Sequence, residues 1–89
     1  MSGTVKDELA GLVELGTLLQ TAGFRVRTAR ASGRPCLAVT NPAAARMSES
    51  VFAGRDAAGR VCFWWSWGEV ICPADEPAVA AARITRVLS

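Results

Sequence analysis

The segment VCFWWSWGEVIC, residues 61–72, holds all three tryptophans of the chain. Because side chains alternate between the two faces of a strand, Phe63, Trp65 and Trp67 share one face and Trp64 lies on the other. We predict one long strand here, with the bulkier odd-numbered face packed against helices. Phe63 and Trp65 are therefore the expected anchors of the core.

The end of this segment leaves two orientations open. If the alternation continues past Gly68, Glu69 points into the core, where a carboxylate without a partner is costly. Either a bulge at Gly68 turns Glu69 outward, or Glu69 pairs with an arginine. The tryptophans themselves have three interpretations: an ordinary core strand, a surface for self-association, or a small-molecule pocket lined by Trp64 or Trp67.

Upstream of the tryptophans, the apolar spacing of residues 4–22 predicts an N-terminal helix. Gly23 is placed to end this helix in a left-handed conformation, with Phe24 folding back on the last turn. Period-two patterns then predict strands at 24–31, 36–40 and 49–55, with residues 43–47 as a connection or a single helical turn.

Downstream, Pro73 ends the tryptophan strand, and Pro77 begins a closing helix that runs through Leu88. The order is α-β-β-β-β-α. It predicts an α+β fold in which a four-stranded antiparallel meander carries both helices on one face. We expect residues 1–89 to form a single domain.

Composition excludes several classes of protein. The chain is 51% hydrophobic with a formal net charge of +2, which excludes disorder. It contains no histidine, so catalytic arrangements based on His are absent, and its three cysteines form no CxxC pair. We therefore expect a protein that is not an enzyme, with no catalytic residues, no metal site, no cofactor and reduced, structural cysteines.

Positive charge is concentrated in the middle of the chain. Residues 15–48 contain five arginines and no acidic residue. Arg25 and Arg27 share one strand face, and Arg30 and Arg34 lie at or near the following turn. The simplest interpretation of Arg25, Arg27 and Arg34 is a solvated edge or donors for interface ion pairs. The stretch also fits an acidic protein partner or, as an alternative, nucleic acid. The α-β-β-β-α part of the order is similar in topology to double-stranded-RNA-binding domains, although lysine is nearly absent here.

Five short motifs together carry a family resemblance. They are RPCL at 34–37, TNPA at 40–43, ESV at 49–51, FWWSWGE at 63–69 and PAD at 73–75. With them the chain resembles a family of short conserved hypothetical proteins of actinomycete-type bacteria. The resemblance implies a single cytoplasmic domain and implies no activity. In size and helix–sheet–helix order, the chain is also similar to small dimeric chaperone-like adaptors.

These patterns favour a non-enzymatic protein-interaction or adaptor module that forms a homodimer through its open sheet face. The alternatives are a nucleic-acid-binding regulator that uses the basic hairpin 25–34 and a small-molecule binder with a tryptophan-lined pocket. The candidate interface or ligand residues are Trp64, Trp67, Glu69, Arg25, Arg27 and Arg34. Residues 1–8 do not read as a signal peptide, and no apolar run has the length of a membrane span, so we expect a cytoplasmic protein without membrane contact.

Overall fold

The architecture is a helix, an antiparallel meander and a second helix, and the computed structural model describes it over residues 3–89. The elements are α1 (Gly3–Thr21), β1 (Arg25–Ala31), β2 (Arg34–Asn41), β3 (Ala44–Arg55), β4 (Val61–Trp65), β5 (Val70–Pro73) and α2 (Pro77–Leu88). The strands form one sheet in the order β1-β2-β3-β4-β5, and every neighbouring pair is antiparallel. The predicted α+β meander is confirmed, with one strand more than expected.

Both helices cover the same face of the sheet. Buried apolar side chains of α1 and α2 form a single cluster with side chains from four strands. Its members include Leu12, Leu15, Leu19, Phe24, Leu37, Val39, Val51, Phe63, Trp65, Ile71, Ile84 and Leu88. Phe63 and Trp65 lie in this cluster, as predicted, and the Phe63 side chain is fully buried. Neither of the described helices is long and apolar enough to cross a membrane.

The single strand predicted over residues 61–72 is wrong: the chain reverses in the middle of it. The Trp65 N–H donates to the Glu69 carbonyl at 2.8 Å, and the Gly68 N–H donates to the Trp65 carbonyl at 3.0 Å. Gly68 has a φ of 91°, a left-handed conformation that glycine adopts at little cost. The apolar run is therefore two short strands joined by a tight turn, and their pairing places Trp64 opposite Val70.

The connection predicted at residues 43–47 is also wrong, because β3 begins at Ala44. The Asn41 side chain accepts a hydrogen bond from the Ala43 N–H at 2.9 Å, which closes a turn of only two residues. The same amide donates to the Leu88 carbonyl at 2.8 Å and so joins this hairpin to the end of α2.

The end of α1 follows the prediction closely. Gly23 has a φ of 101°, and its N–H donates to the Gln20 carbonyl. The Phe24 N–H donates to the Leu19 carbonyl, and the side chains of Phe24 and Leu19 are both buried. Together the two hydrogen bonds and the apolar contact make a Schellman motif, which directs the chain from α1 into β1.

Two glycine substitutions test this architecture, because one should lower the free energy of unfolding and the other should raise it. Gly68→Ala should lower the free energy of unfolding by about 1–2 kcal/mol, because alanine is strained in the left-handed region. Gly11→Ala should raise it by about 0.5–1 kcal/mol, because glycine disfavours a helix interior. The new Cβ of Gly11→Ala would lie an ordinary 3.5 Å from the Phe63 ring. Urea unfolding, monitored by tryptophan fluorescence, measures the free energy of unfolding of both variants.

Gly68→Asn is the control for the turn, because asparagine tolerates the left-handed region better than alanine. It should lose less stability than Gly68→Ala. Equal losses for the two variants, or no loss for either, would contradict the turn at residues 66–69.

Candidate interaction site on the open sheet face

The face of the sheet opposite the helices has no secondary-structure element packed on it among the described residues. We call it the open face. Alternation along the paired strands assigns it the side chains that do not belong to the core cluster. These are Arg25, Arg27 and Ala29 on β1, Arg34, Cys36 and Ala38 on β2, Ser50, Phe52 and Gly54 on β3, and Cys62 and Trp64 on β4.

An arginine and two aromatic rings meet at one end of the open face. Cross-strand pairing places Cys36, Phe52, Trp64 and Val70 in one row. The guanidinium of Arg34 lies over the Phe52 ring at a cation–π distance, with 5.7 Å from its Cζ to the ring centroid. The Trp64 Nε1–H donates to the Gly54 carbonyl at 3.0 Å, which holds the indole ring against the sheet.

Gly54 makes room for this arrangement. A Cβ at this position would lie 2.5 Å from Nη2 of Arg34, closer than side chains pack. Without that Cβ, the guanidinium lies directly over the β3 backbone, and its Nη2 makes a long hydrogen bond of 3.5 Å to the Ala53 carbonyl. A glycine in the interior of a strand often marks a site where another group approaches the backbone this closely.

These groups line a cleft of about 430 Å³. We call it the Arg34 cleft; Ser32, Phe52, Arg55, Trp64 and Ser66 contribute to its walls. Apart from the long bond to Ala53, the N–H donors of Arg34 have no partner among the described side chains and backbone. The cleft thus offers unused guanidinium donors beside half-buried aromatic rings, a combination that suits a carboxylate attached to an apolar group.

Arg25 and Arg27 lie on the same face, two strands away from Phe52. Both are exposed, and β-pairing places them opposite Thr40 and Ala38. No carboxylate among the described side chains, residues 8–44 and 46–89, pairs with either of them. Arg30 donates to the Gly33 carbonyl at 3.0 Å, within the β1–β2 turn.

The structure separates Trp67 and Glu69 from the other candidate residues. Both lie on the β4–β5 turn, where the Trp67 Nε1–H donates to the Glu69 carboxylate at 3.1 Å. The Trp67 ring stacks on Trp65, with centroids 4.9 Å apart, and remains 55% exposed. Trp67 therefore shields the core residue Trp65. Glu69 is exposed because the chain reverses, and its carboxylate bonds to an indole rather than to an arginine.

The three cysteines are free and buried. Cys36 and Cys62 lie beneath the open face, whereas Cys72 belongs to the core cluster. Burial raises the pKa of Cys62, and the nearby Asp56 carboxylate, 3.8 Å from its sulfur, raises it further. Burial also raises the pKa of Cys72. Raised values favour the unreactive thiol form.

Sequence reasoning missed Phe52 and Gly54, which complete the Arg34 cleft. The alternation Ser50, Phe52, Gly54 against the buried Val51 and Ala53 carries the signal, because it puts a large ring on the face away from the core. Gly54 is the second signal, because a glycine in a strand interior often marks a place where another group approaches the backbone closely.

No family model, curated protein sequence or solved structure is significantly similar to this chain. The family resemblance of the five motifs therefore stays a prediction. Among the described residues, no three His, Cys, Asp or Glu side chains lie together in a group that could hold a metal ion. The charged side chains that line the Arg34 cleft are Arg34 and Arg55.

Thiol reactivity tests the burial of the cysteines. With a thiol reagent such as DTNB at mildly alkaline pH, the folded chain should react roughly tenfold or more slowly than the chain unfolded in urea, because only the accessible thiolate reacts. Since the pKa values of Cys62 and Cys72 are raised, their reaction rate should also increase at a higher pH than in the unfolded chain. Rapid labelling of all three thiols in the folded chain would contradict this packing.

Proposed function

We propose that this chain is a non-enzymatic interaction module that binds an acidic protein partner through the Arg34 cleft and the surrounding open face. The observation that carries the proposal is the cation–π contact of Arg34 with Phe52 beside the anchored Trp64 indole. Arginine and tryptophan are the residues most often responsible for binding energy at protein interfaces. Here they lie next to one another on the face that neither helix covers.

Charge favours an acidic partner over a second copy of the chain. The open face carries Arg25, Arg27 and Arg34, and alternation assigns it no carboxylate from the described strands. A second copy would bring more arginines to the same face, whereas carboxylates on a different protein would complement them. The homodimer expected from the sequence stays a prediction with its own test below.

The geometry of the aromatic rings argues against nucleic acid as the partner. Bases bind proteins by stacking on exposed aromatic faces. Phe52 and Trp64 are partly buried, and the guanidinium of Arg34 already lies over Phe52. The most exposed tryptophan, Trp67, lies on the β4–β5 turn, away from the arginine-rich strand β1.

The chemistry of the cleft supports a binding function. Its titratable side chains are Arg34 and Arg55, and an arginine stays protonated at physiological pH, so it does not act as a general acid or base. An arginine binds a carboxylate well, through paired hydrogen bonds in one plane. We expect the partner to place a carboxylate on Arg34 and an apolar group against Trp64.

Indole N–H signals in a nitrogen-15 NMR spectrum can test this site. The probe is a short peptide in which glutamates flank one phenylalanine. It should shift the Trp64 indole signal, which lies at the cleft, and leave the Trp67 indole signal unchanged. The matched control is the same peptide with lysine in place of glutamate, and it should shift neither signal.

Two variants separate binding from folding in this experiment. Gly54→Ala displaces the flexible end of Arg34 and should weaken the peptide-induced shift several-fold while leaving the free energy of unfolding nearly unchanged. Trp67→Ala should leave binding intact. A Trp64 signal that responds equally to both peptides, or that survives unchanged in Gly54→Ala, would overturn the proposal.

Self-association has a separate test with matched tryptophan variants. If the chain dimerises through the open face, sedimentation velocity at micromolar concentrations should show a dimer that Trp64→Ala converts to a monomer. Trp67→Ala removes an equally large side chain outside that face and should leave the dimer intact. A monomer at all concentrations would rule out the homodimer and leave an acidic protein as the partner.

A further inference from the structure

The outer edge of β1 is a second candidate surface. β1 is the first strand of the sheet, so within residues 3–89 one of its two edges has no neighbouring strand. Six of its seven residues are exposed, and only Val26 is partly buried. An exposed edge strand presents N–H and C=O groups that can pair with another extended chain. Seven residues are enough for a strand of ordinary length.

A groove runs beside this edge on the helix-covered face. It has a volume of about 410 Å³ and lies between α1 and β1. Val13, Gly16 and Thr17 line it from α1, and Val26 and Thr28 line it from β1. Val13 is 56% exposed, and Leu9, one turn away on the helix, is 48% exposed. Apolar side chains of this size on the flank of a helix are suited to cover an additional strand.

The opposite face of β1 is basic. Arg25 and Arg27 lie there, and the described side chains offer them no carboxylate. A strand paired with β1 would alternate its side chains between the two faces of the sheet. One set would lie beside Arg25 and Arg27, and the other would lie beside Val26 and the groove.

We infer that β1 binds an extended segment of a partner protein as a sixth strand, and that this segment alternates acidic and apolar residues. Backbone hydrogen bonds to the β1 edge provide the affinity, and the two faces of the strand provide the specificity. Arg25, Arg27 and the groove lie outside the Arg34 cleft, although Ala31 at the end of β1 lines it. Binding to the β1 edge can therefore be tested independently of binding in the cleft.

A second copy of β1 is a poor occupant of the same edge. Pairing two copies would gather the Arg25, Arg27 and Arg30 side chains of both chains along one seam, with no carboxylate from β1 itself. Charged residues on edge strands prevent such pairing in other proteins. The same charges attract a strand that carries glutamate or aspartate.

Amide hydrogen exchange, measured by NMR on the full chain, tests the inference. The probe is an acetylated peptide about eight residues long that alternates glutamate and valine, matched to the length of β1. The β1 amides that point away from β2 should exchange quickly in the free chain and slowly in the complex. If the peptide occupies about nine-tenths of the chains, their exchange rate should fall about tenfold, because only the free fraction exchanges.

Control peptides separate strand addition from simple attraction. Replacing a central valine with proline keeps every glutamate but removes a backbone N–H, so this peptide should bind weakly and protect no β1 amide. The lysine version should not bind. If the proline peptide binds as well as its parent, or if the parent binds without protecting alternate β1 amides, the inference is overturned.

Charge variants of the protein complete the test. Arg25→Glu combined with Arg27→Glu should weaken binding about tenfold, because two exposed ion pairs become repulsive. Arg60→Glu combined with Arg86→Glu changes the net charge equally at two other exposed sites and should have little effect. Equal weakening by both pairs would show attraction to net charge alone. Equal protection of β1 by a single-stranded DNA would show a nucleic-acid surface. Either result would overturn the inference.

Discussion

The packing of Phe63 beneath α1 determines which face of the sheet each neighbouring side chain occupies. The Phe63 ring lies so near the helix that a Cβ at Gly11 would be in ordinary van der Waals contact with it. Since side chains alternate on a strand, fixing Phe63 and Trp65 under the helices forces Trp64 onto the open face. A slip of one residue would exchange these faces and bury Trp64 instead, so the core also determines the binding surface.

Much of the fold could be predicted from the sequence, because the local signals that begin and end the helices agree with the pattern of buried apolar residues. The spacing of α1, the glycine stop at Gly23 and the proline start of α2 all appear in the structure. The two errors are opposite in kind. In residues 61–72 a continuous apolar run conceals a tight turn that Gly68 allows. In residues 43–47 small residues conceal the start of β3, because the Asn41 side chain closes the preceding turn in only two residues.

The candidate site was predictable only in part. Alternation correctly separated Trp64 from Phe63 and Trp65, and Arg34 does lie at the same cleft. Trp67 and Glu69 do not lie beside the other candidate residues, because the strand to which the prediction assigned them ends at Trp65. The contact between Arg34 and Phe52 depends on the register between β2 and β3, which periodicity within single strands does not determine.

Folding leaves two kinds of unsatisfied group on this chain, and they adjoin one another. The guanidiniums of Arg25 and Arg27 have no carboxylate among the described side chains, and the outer edge of β1 has no neighbouring strand. An extended polypeptide with acidic side chains would satisfy both groups. Its backbone would pair with the β1 edge, and its carboxylates would pair with the two arginines. Because the acidic side of such a strand would extend the open face, residues that flank it in the same partner could also reach Arg34. Under the proposed function, the hydrophobic excess of this small domain and its concentrated positive charge have a common explanation in the recognition of an acidic protein.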